Sequence, residues 1–194
     1  ASTFEDAGFH VRINHEQSGL PKRFQTFGEC GDLSCTCNRL TYPWVRRKFK
    51  SHVLAHLAGH RADTLHIASL GSGCLLADLE IICALLDAGY SIASATFVDT
   101  AYATPHSVQW EALSCMATFL GENARVAAYD STVKYSLARL LSIEPPASLC
   151  LQIDVSAIRA EEFQAVAAVA LAPEGVCLRL DNPPAPASAT VCAW

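Results

Sequence analysis

Thr64-Leu65-His66-Ile67-Ala68-Ser69-Leu70-Gly71-Ser72-Gly73-Cys74-Leu75 is the stretch whose reading decides the fold. From Thr64 to Leu70 it is a short, nearly continuous apolar run, which suits a strand buried on both faces. Two glycines end the run. Gly71 and Gly73 let the backbone turn tightly out of the strand and approach a ligand without interference from a Cβ. Apolar residues then recur at Leu75, Leu79, Ile82, Leu85 and Leu86, which predicts a helix over 75–88 closed by Gly89. A helix starting near Cys74 aims free N–H groups, and the positive end of its dipole, back toward the loop.

The alternation continues outward. Downstream, apolar runs at 92–98, 125–129, 149–153 and 176–180 predict strands, and periodic segments at 107–120, 132–141 and 161–171 predict helices. Upstream, Trp44, Val45, Phe49, Val53, Leu54 and Leu57 fall at helical spacing over 44–59, with Gly59 as the C-cap. This order predicts an α/β fold: a doubly wound, mostly parallel sheet of about five or more strands with helices on both faces. The strand ending at Leu70 is expected to lie centrally, with the glycine loop at its carboxyl edge. Residues 1–43 read as an irregular N-terminal extension, in which Phe9, Val11 and Ile13 alternate like one short strand, and 44–194 as the α/β domain.

Bulk properties narrow the function. The chain has 194 residues, 51% hydrophobic and 17% charged, enough to bury a real core. A net charge of −5 argues against a general nucleic-acid binder. The local basic run Arg46, Arg47, Lys48 and Lys50 reads as a solvated helix face. No stretch reaches the roughly 18–20 apolar residues of a membrane span. Ala1 to Asp6 do not resemble a signal peptide, and a first residue other than Met leaves an upstream targeting segment open. Cys74, Cys83, Cys115, Cys150 and Cys177 sit within apolar runs, as small buried hydrophobes do in a reducing compartment, so the expected location is cytoplasmic.

Carboxylates recur at the strand ends. Asp99, Asp130, Asp154 and Asp181 each follow an apolar run, at intervals of about 24 to 31 residues, the length of one strand–helix unit. A parallel sheet gathers them along one rim, where ligands bind. Each also suits a cap or turn. Asp99 stands out because the acid ending the second strand is where a ribose diol is usually held.

Ile67 to Leu75 resembles motif I of the class I methyltransferases that use S-adenosylmethionine, and Phe97-Val98-Asp99 resembles that family's second motif. The resemblance spans about residues 64–181. It implies a Rossmann-like fold and an S-adenosylmethionine site built from Ser69, Gly71, Ser72, Gly73, Asp99, Asp130 and Ser131. Asp99 would take the ribose hydroxyls, and Tyr129-Asp130-Ser131 sits where the family contacts the adenine amino group. It also implies a reacting centre near Asp154, the candidate catalytic residue, with a methyl acceptor of unknown identity. His10 and His15 of the extension are candidates to cover the cleft. The chain departs from the pattern in four places: Ser69 replaces an acid, Leu75 replaces a third glycine, the interval from Gly73 to Asp99 is long, and few residues follow Asp181 to supply the family's two last strands.

Two alternatives stay open. A degenerate loop also suits a catalytically inactive interaction module on the same fold, with a protein partner. Gly71-Ser72-Gly73 and Asp99 also suit an NAD(P)-binding oxidoreductase, although Leu76 then occupies the third glycine position of the dinucleotide fingerprint. Asp181-Asn182-Pro183-Pro184 imitates the signature of amino-group DNA methyltransferases, but Ala185 replaces its aromatic residue, and a proline-rich strand exit explains it. Cys30, Cys35 and Cys37 with His52, His56 and His60 lack zinc-site spacing, so no metal is expected.

Overall fold

The computed structural model describes residues 27–28, 43–58, 64–153, 158–180 and 191–193. Phe9, His10, Val11, Ile13, His15, Cys30, Cys35, Cys37, Gly59, His60, Asp154 and the stretch 181–190 lie outside them.

Helix α1 (Pro43–Leu57) leads into β1 (Thr64–Leu70), α2 (Leu76–Asp87) and β2 (Ser91–Val98). A 3-10 turn (Thr100–Ala103) precedes α3 (Val108–Leu120), β3 (Arg125–Tyr129), α4 (Thr132–Leu140) and β4 (Ala147–Gln152). The chain continues through α5 (Ala160–Ala170) and β5 (Leu171–Leu180) to β6 (Val191–Ala193). The sheet order is β3-β2-β1-β4-β5-β6. Its first five strands are parallel, and β6 runs antiparallel to β5. The central position expected for β1 is observed, with β2 and β4 as its neighbours. Strand order reverses between β1 and β4, so the loop after β1 opens at the switch point of the sheet.

Alternate residues of β1 feed two cores. Leu65 and Ile67 pack with Phe49, Val53, Leu79, Ile82 and Met116 from α1, α2 and α3 on one face. Ala68 and Leu70 pack with Tyr135, Phe163 and Val166 from α4 and α5 on the other. This period-two division is why the run from Thr64 to Leu70 lacks a polar face. Phe27, from the N-terminal extension, is itself buried in the first core.

Three local expectations change. Leu86, expected inward on α2, is 37% exposed, because the inward face is filled by Leu79, Ile82 and Leu85. The basic run is not wholly solvated: Arg46 is buried, with Nη1 3.5 Å from Glu80 Oε1, whereas Arg47 and Lys48 are exposed. Burial also pushes the Lys50 ammonium below its ordinary pKa, against the opposing pull of Glu80. Finally, β5 begins at Leu171, earlier than its apolar run, through an irregularity that carries Pro173 and Gly175 past the start of β4.

That irregularity has no room for a side chain. A Cβ at Gly175 would lie 2.6 Å from Ala147 O and 2.9 Å from Leu171 Cδ2. Gly175→Ala is expected to destabilise the fold by about 1–3 kcal/mol, as overpacking does. Urea denaturation checks it, and an unchanged midpoint would show that the β4–β5 junction yields freely.

A buried carboxylate ties β2, β3 and the α4–β4 connection together. Glu144 is 1% exposed. Its Oε2 accepts from Arg125 Nη1 at 2.6 Å and Thr96 Oγ1 at 3.1 Å, and its Oε1 accepts from Arg125 Nη2 at 2.8 Å and Tyr129 Oη at 2.6 Å. Burial, then the bond to Glu144, pushes the Tyr129 phenol up to about 12.

Candidate functional site

Gly71 and Gly73 adopt positive φ, and so does Leu75, at 63°. The backbone thus keeps a glycine-like left-handed turn at the position where the sequence has leucine. That conformation costs roughly 1–2 kcal/mol for a residue with a Cβ. The Leu75 side chain offsets the strain by packing into the core, where it is 1% exposed. Gly28 flanks this turn, its N–H donating to Cys74 O at 3.1 Å.

The loop's N–H groups are largely turned inward. Gly71 N and Ser72 N donate to Val98 O at 2.7 and 3.3 Å, and Leu75 N donates to Ser72 O at 3.1 Å. Gly73 N donates to Asp99 Oδ2 at 2.8 Å, while Asp99 Oδ1 accepts from Ala101 N at 2.9 Å and caps the 3-10 turn. Asp99 is therefore both the expected rim acid and a local turn residue. Each of its oxygens keeps a further lone pair for a ligand hydroxyl.

Asp99, Asp130, Ser131 and Gly71 come together on one cavity of about 210 Å³ at the carboxyl edge, lined also by Val98, Thr100, Thr132, Ile158 and Glu162. Ser131 caps α4, its Oγ accepting from Lys134 N at 3.3 Å. Asp130 Oδ2 accepts from Lys134 Nζ at 2.5 Å. Asp130 Oδ1 is buried and has no hydrogen-bond partner. Ser72 and Gly73 stand beside this cavity, not among its named walls. Ser69 lies beneath the loop, 1% exposed, so it does not face a ligand.

The sequence reading missed three contributors. Glu162, in the first turn of α5, lines the cavity and accepts from Thr132 Oγ1 at 2.7 Å. An acid there reads from sequence only as a partner of the helix dipole. Gln152, fully buried at the end of β4, donates from Nε2 to Ile158 O at 2.7 Å and fixes the cavity wall. Asp78 is buried on α2, near Ser69 and Asp99. Burial raises its pKa to about 6, with Asp99 adding to the rise and Ser69 and Arg46 opposing it. Ser69 Oγ and Asp78 Oδ1 nonetheless lack well-formed hydrogen bonds of their own.

A larger cavity of about 480 Å³ lies at the opposite, amino edge, lined by Leu57, Leu65, His66, Ser148 and residues 172–175 among others. Two of its polar residues are engaged within the fold: His66 Nδ1 lies 2.8 Å from Ser94 Oγ, and His66 N donates to Ser148 Oγ at 2.7 Å. The gathered carboxylates are all at the carboxyl edge. Among the described residues, no three His, Cys, Asp or Glu side chains converge to hold a metal, and no helix is long and apolar enough to cross a membrane.

Fold and rim together define a Rossmann-like α/β domain with an acidic cleft at its switch point. No protein-family model matches the chain, and no curated protein matches it.

Proposed function

We propose that this chain is an S-adenosylmethionine-binding, methyltransferase-like domain. The observation that carries the reading is the charge of the cleft. Among the described residues its walls hold three carboxylates, Asp99, Asp130 and Glu162, and no Lys, Arg or His, although Lys134 pairs with Asp130 Oδ2 from outside the walls. Such a wall suits a ligand rich in hydrogen-bond donors and carrying positive charge, and repels a pyrophosphate. S-adenosylmethionine offers an amino-bearing base, a ribose diol and a sulfonium cation. Asp130, on the cleft wall, suits the base's amino group, and the spare lone pairs of Asp99 suit the diol. When bound, the cofactor supplies an activated methyl group. The chain's own part is to orient an acceptor beside it, which can supply much of the rate without a conspicuous base.

The same wall ranks the NAD(P) oxidoreductase reading lower. So does β6, whose antiparallel direction departs from the second parallel βαβαβ half of a dinucleotide-binding sheet. The inactive interaction module remains the second reading, on a specific observation. The loop amides and Asp99 are engaged within the chain, and 210 Å³ is below the roughly 300–1,000 Å³ of ordinary ligand pockets. On the buried thiols Cys83, Cys150 and Cys177 we place the protein in a reducing compartment, the cytoplasm.

Thermal denaturation with S-adenosylmethionine, S-adenosylhomocysteine and NAD separates these readings, because a ligand that binds only the folded state raises the midpoint by mass action. The first two should raise it and NAD should not. Asp130→Asn should weaken the gain by about 1.5–3 kcal/mol of binding energy, the worth of a charge-assisted hydrogen bond. No shift with any ligand would favour the interaction module.

A further inference from the structure

Helix α4 turns Tyr135 and Ala138 into the core and leaves an apolar stripe outside. Val133, Leu137, Leu140 and Leu141 are 74, 53, 69 and 61% exposed, and Ile143 just beyond the helix is 58% exposed. The four follow helical i, i+4, i+7, i+8 spacing, one line about 12 Å long. With Ile143 they present roughly 500 Å² of surface, toward the upper end of what a monomer shows in one patch. The helix's charged side chains do not ask for outside partners. Lys134 Nζ is held by Asp130 Oδ2, and Arg139 donates from Nε to Ala170 O at 3.3 Å and from Nη1 to Glu144 O.

We propose that this stripe is the interface of a symmetric homodimer, in which α4 packs against α4 of a second copy across a two-fold axis. Complete burial of two such stripes removes roughly 1,000 Å² from water, the threshold of a specific interface and short of the 1,200–2,000 Å² of stable ones. An uncharged apolar ridge is complementary to itself, and a two-fold contact uses the same patch on both chains. Leu137 lies midway along the stripe, so it sits near the axis and faces its own copy. The modest area makes the dimer weak and concentration-dependent. The proposal does not depend on what the cleft binds.

Sedimentation velocity of the full chain from about 1 to 200 µM tests it. The weight-average mass should climb toward that of two chains. Leu137→Arg and Leu137→Glu should each move the transition to at least about tenfold higher concentration, since like charges then meet at the axis. An equimolar mixture of the two variants should recover association, because opposite charges face each other there. Circular dichroism controls for folding, with Leu140→Arg as a second exposed substitution. A wild-type chain monomeric throughout, a dimer indifferent to these substitutions, or a mixture no more associated than its components overturns the proposal.

Discussion

Glu144→Ala is expected to destabilise the protein by about 3–5 kcal/mol, since charge-assisted hydrogen bonds of roughly 1.5–3 kcal/mol each are lost together, those from half-exposed Arg125 counting for less. The substitution leaves Arg125, Tyr129 and Thr96 without the acceptor they share, and opens a void where four hydrogen bonds met. A fold of this size has about 5–15 kcal/mol in total, so the loss is a large fraction of it. The midpoint of thermal unfolding should fall by about 10 °C or more. Glu144→Gln keeps the shape but not the charge and should cost less, because the amide oxygen still accepts from one side of Arg125. Arg125→Ala should cost at least as much as Glu144→Ala, because it leaves the buried Glu144 carboxylate without its counter-charge, whereas a stranded Arg125 is half exposed and water can solvate it. If all three variants unfold with the wild type, the cluster is an ornament of the sheet and not its tie.

Asp78→Asn is expected to act in the opposite direction. A carboxyl whose pKa is raised from 3.8 to about 6 in the folded state binds its proton more tightly there than in the unfolded chain. Well below pH 4 the group is neutral in both states and costs nothing. Between about pH 4 and 6 the unfolded chain releases its proton while the folded state keeps it, so the cost grows to about 3 kcal/mol and then levels off as the folded carboxyl ionises too. Stability carried by this group is thus present in acid and lost toward neutrality. The asparagine variant should remove that slope, so the difference between variant and wild type widens in the variant's favour from pH 4 to pH 7. Chemical denaturation at several pH values measures it. Parallel pH profiles would mean that Arg46 and Ser69 already hold the carboxylate at an ordinary pKa.

The fold was legible because its signals are local. An apolar run ending in Gly71-Ser72-Gly73 can hardly be other than a strand leaving the sheet, and the three helices after it carry clear 3.6-residue spacing. A doubly wound sheet with β1 inside it followed from alternation and right-handed crossovers. Less legible was whatever depends on long-range contact. Glu144 and Asp78 look like any surface acid in a helical or loop segment, and only the fold buries them. Arg46 reads as part of a solvated run for the same reason, and the fold buries it. The early start of β5 was hidden because Pro173 and Gly175 are breaker residues, and a β irregularity uses them as readily as a loop does.

At the site, the sequence picked out Gly71, Asp99, Asp130 and Ser131, which share a cavity, and it also picked out Ser69, which is buried beneath them. It gave no means to see that the loop amides are engaged by Val98 and Asp99, because that depends on the path of the backbone between β1 and β2. Nor did it single out Glu162, which adds a third carboxylate to the cleft wall. Asp154, the candidate for chemistry, lies outside the described residues, so the case for the cofactor rests on the cleft alone.

The central claim is that this acidic cleft receives a cationic, donor-rich nucleoside. Amide chemical-shift mapping on uniformly labelled protein tests it most directly. S-adenosylmethionine should move the resonances of Asp99, Thr100, Asp130, Ser131 and Thr132, while NAD at the same concentration leaves them in place. Unmoved cleft resonances at saturating S-adenosylmethionine, or shifts confined to the opposite cavity around His66 and Ser148, would contradict it.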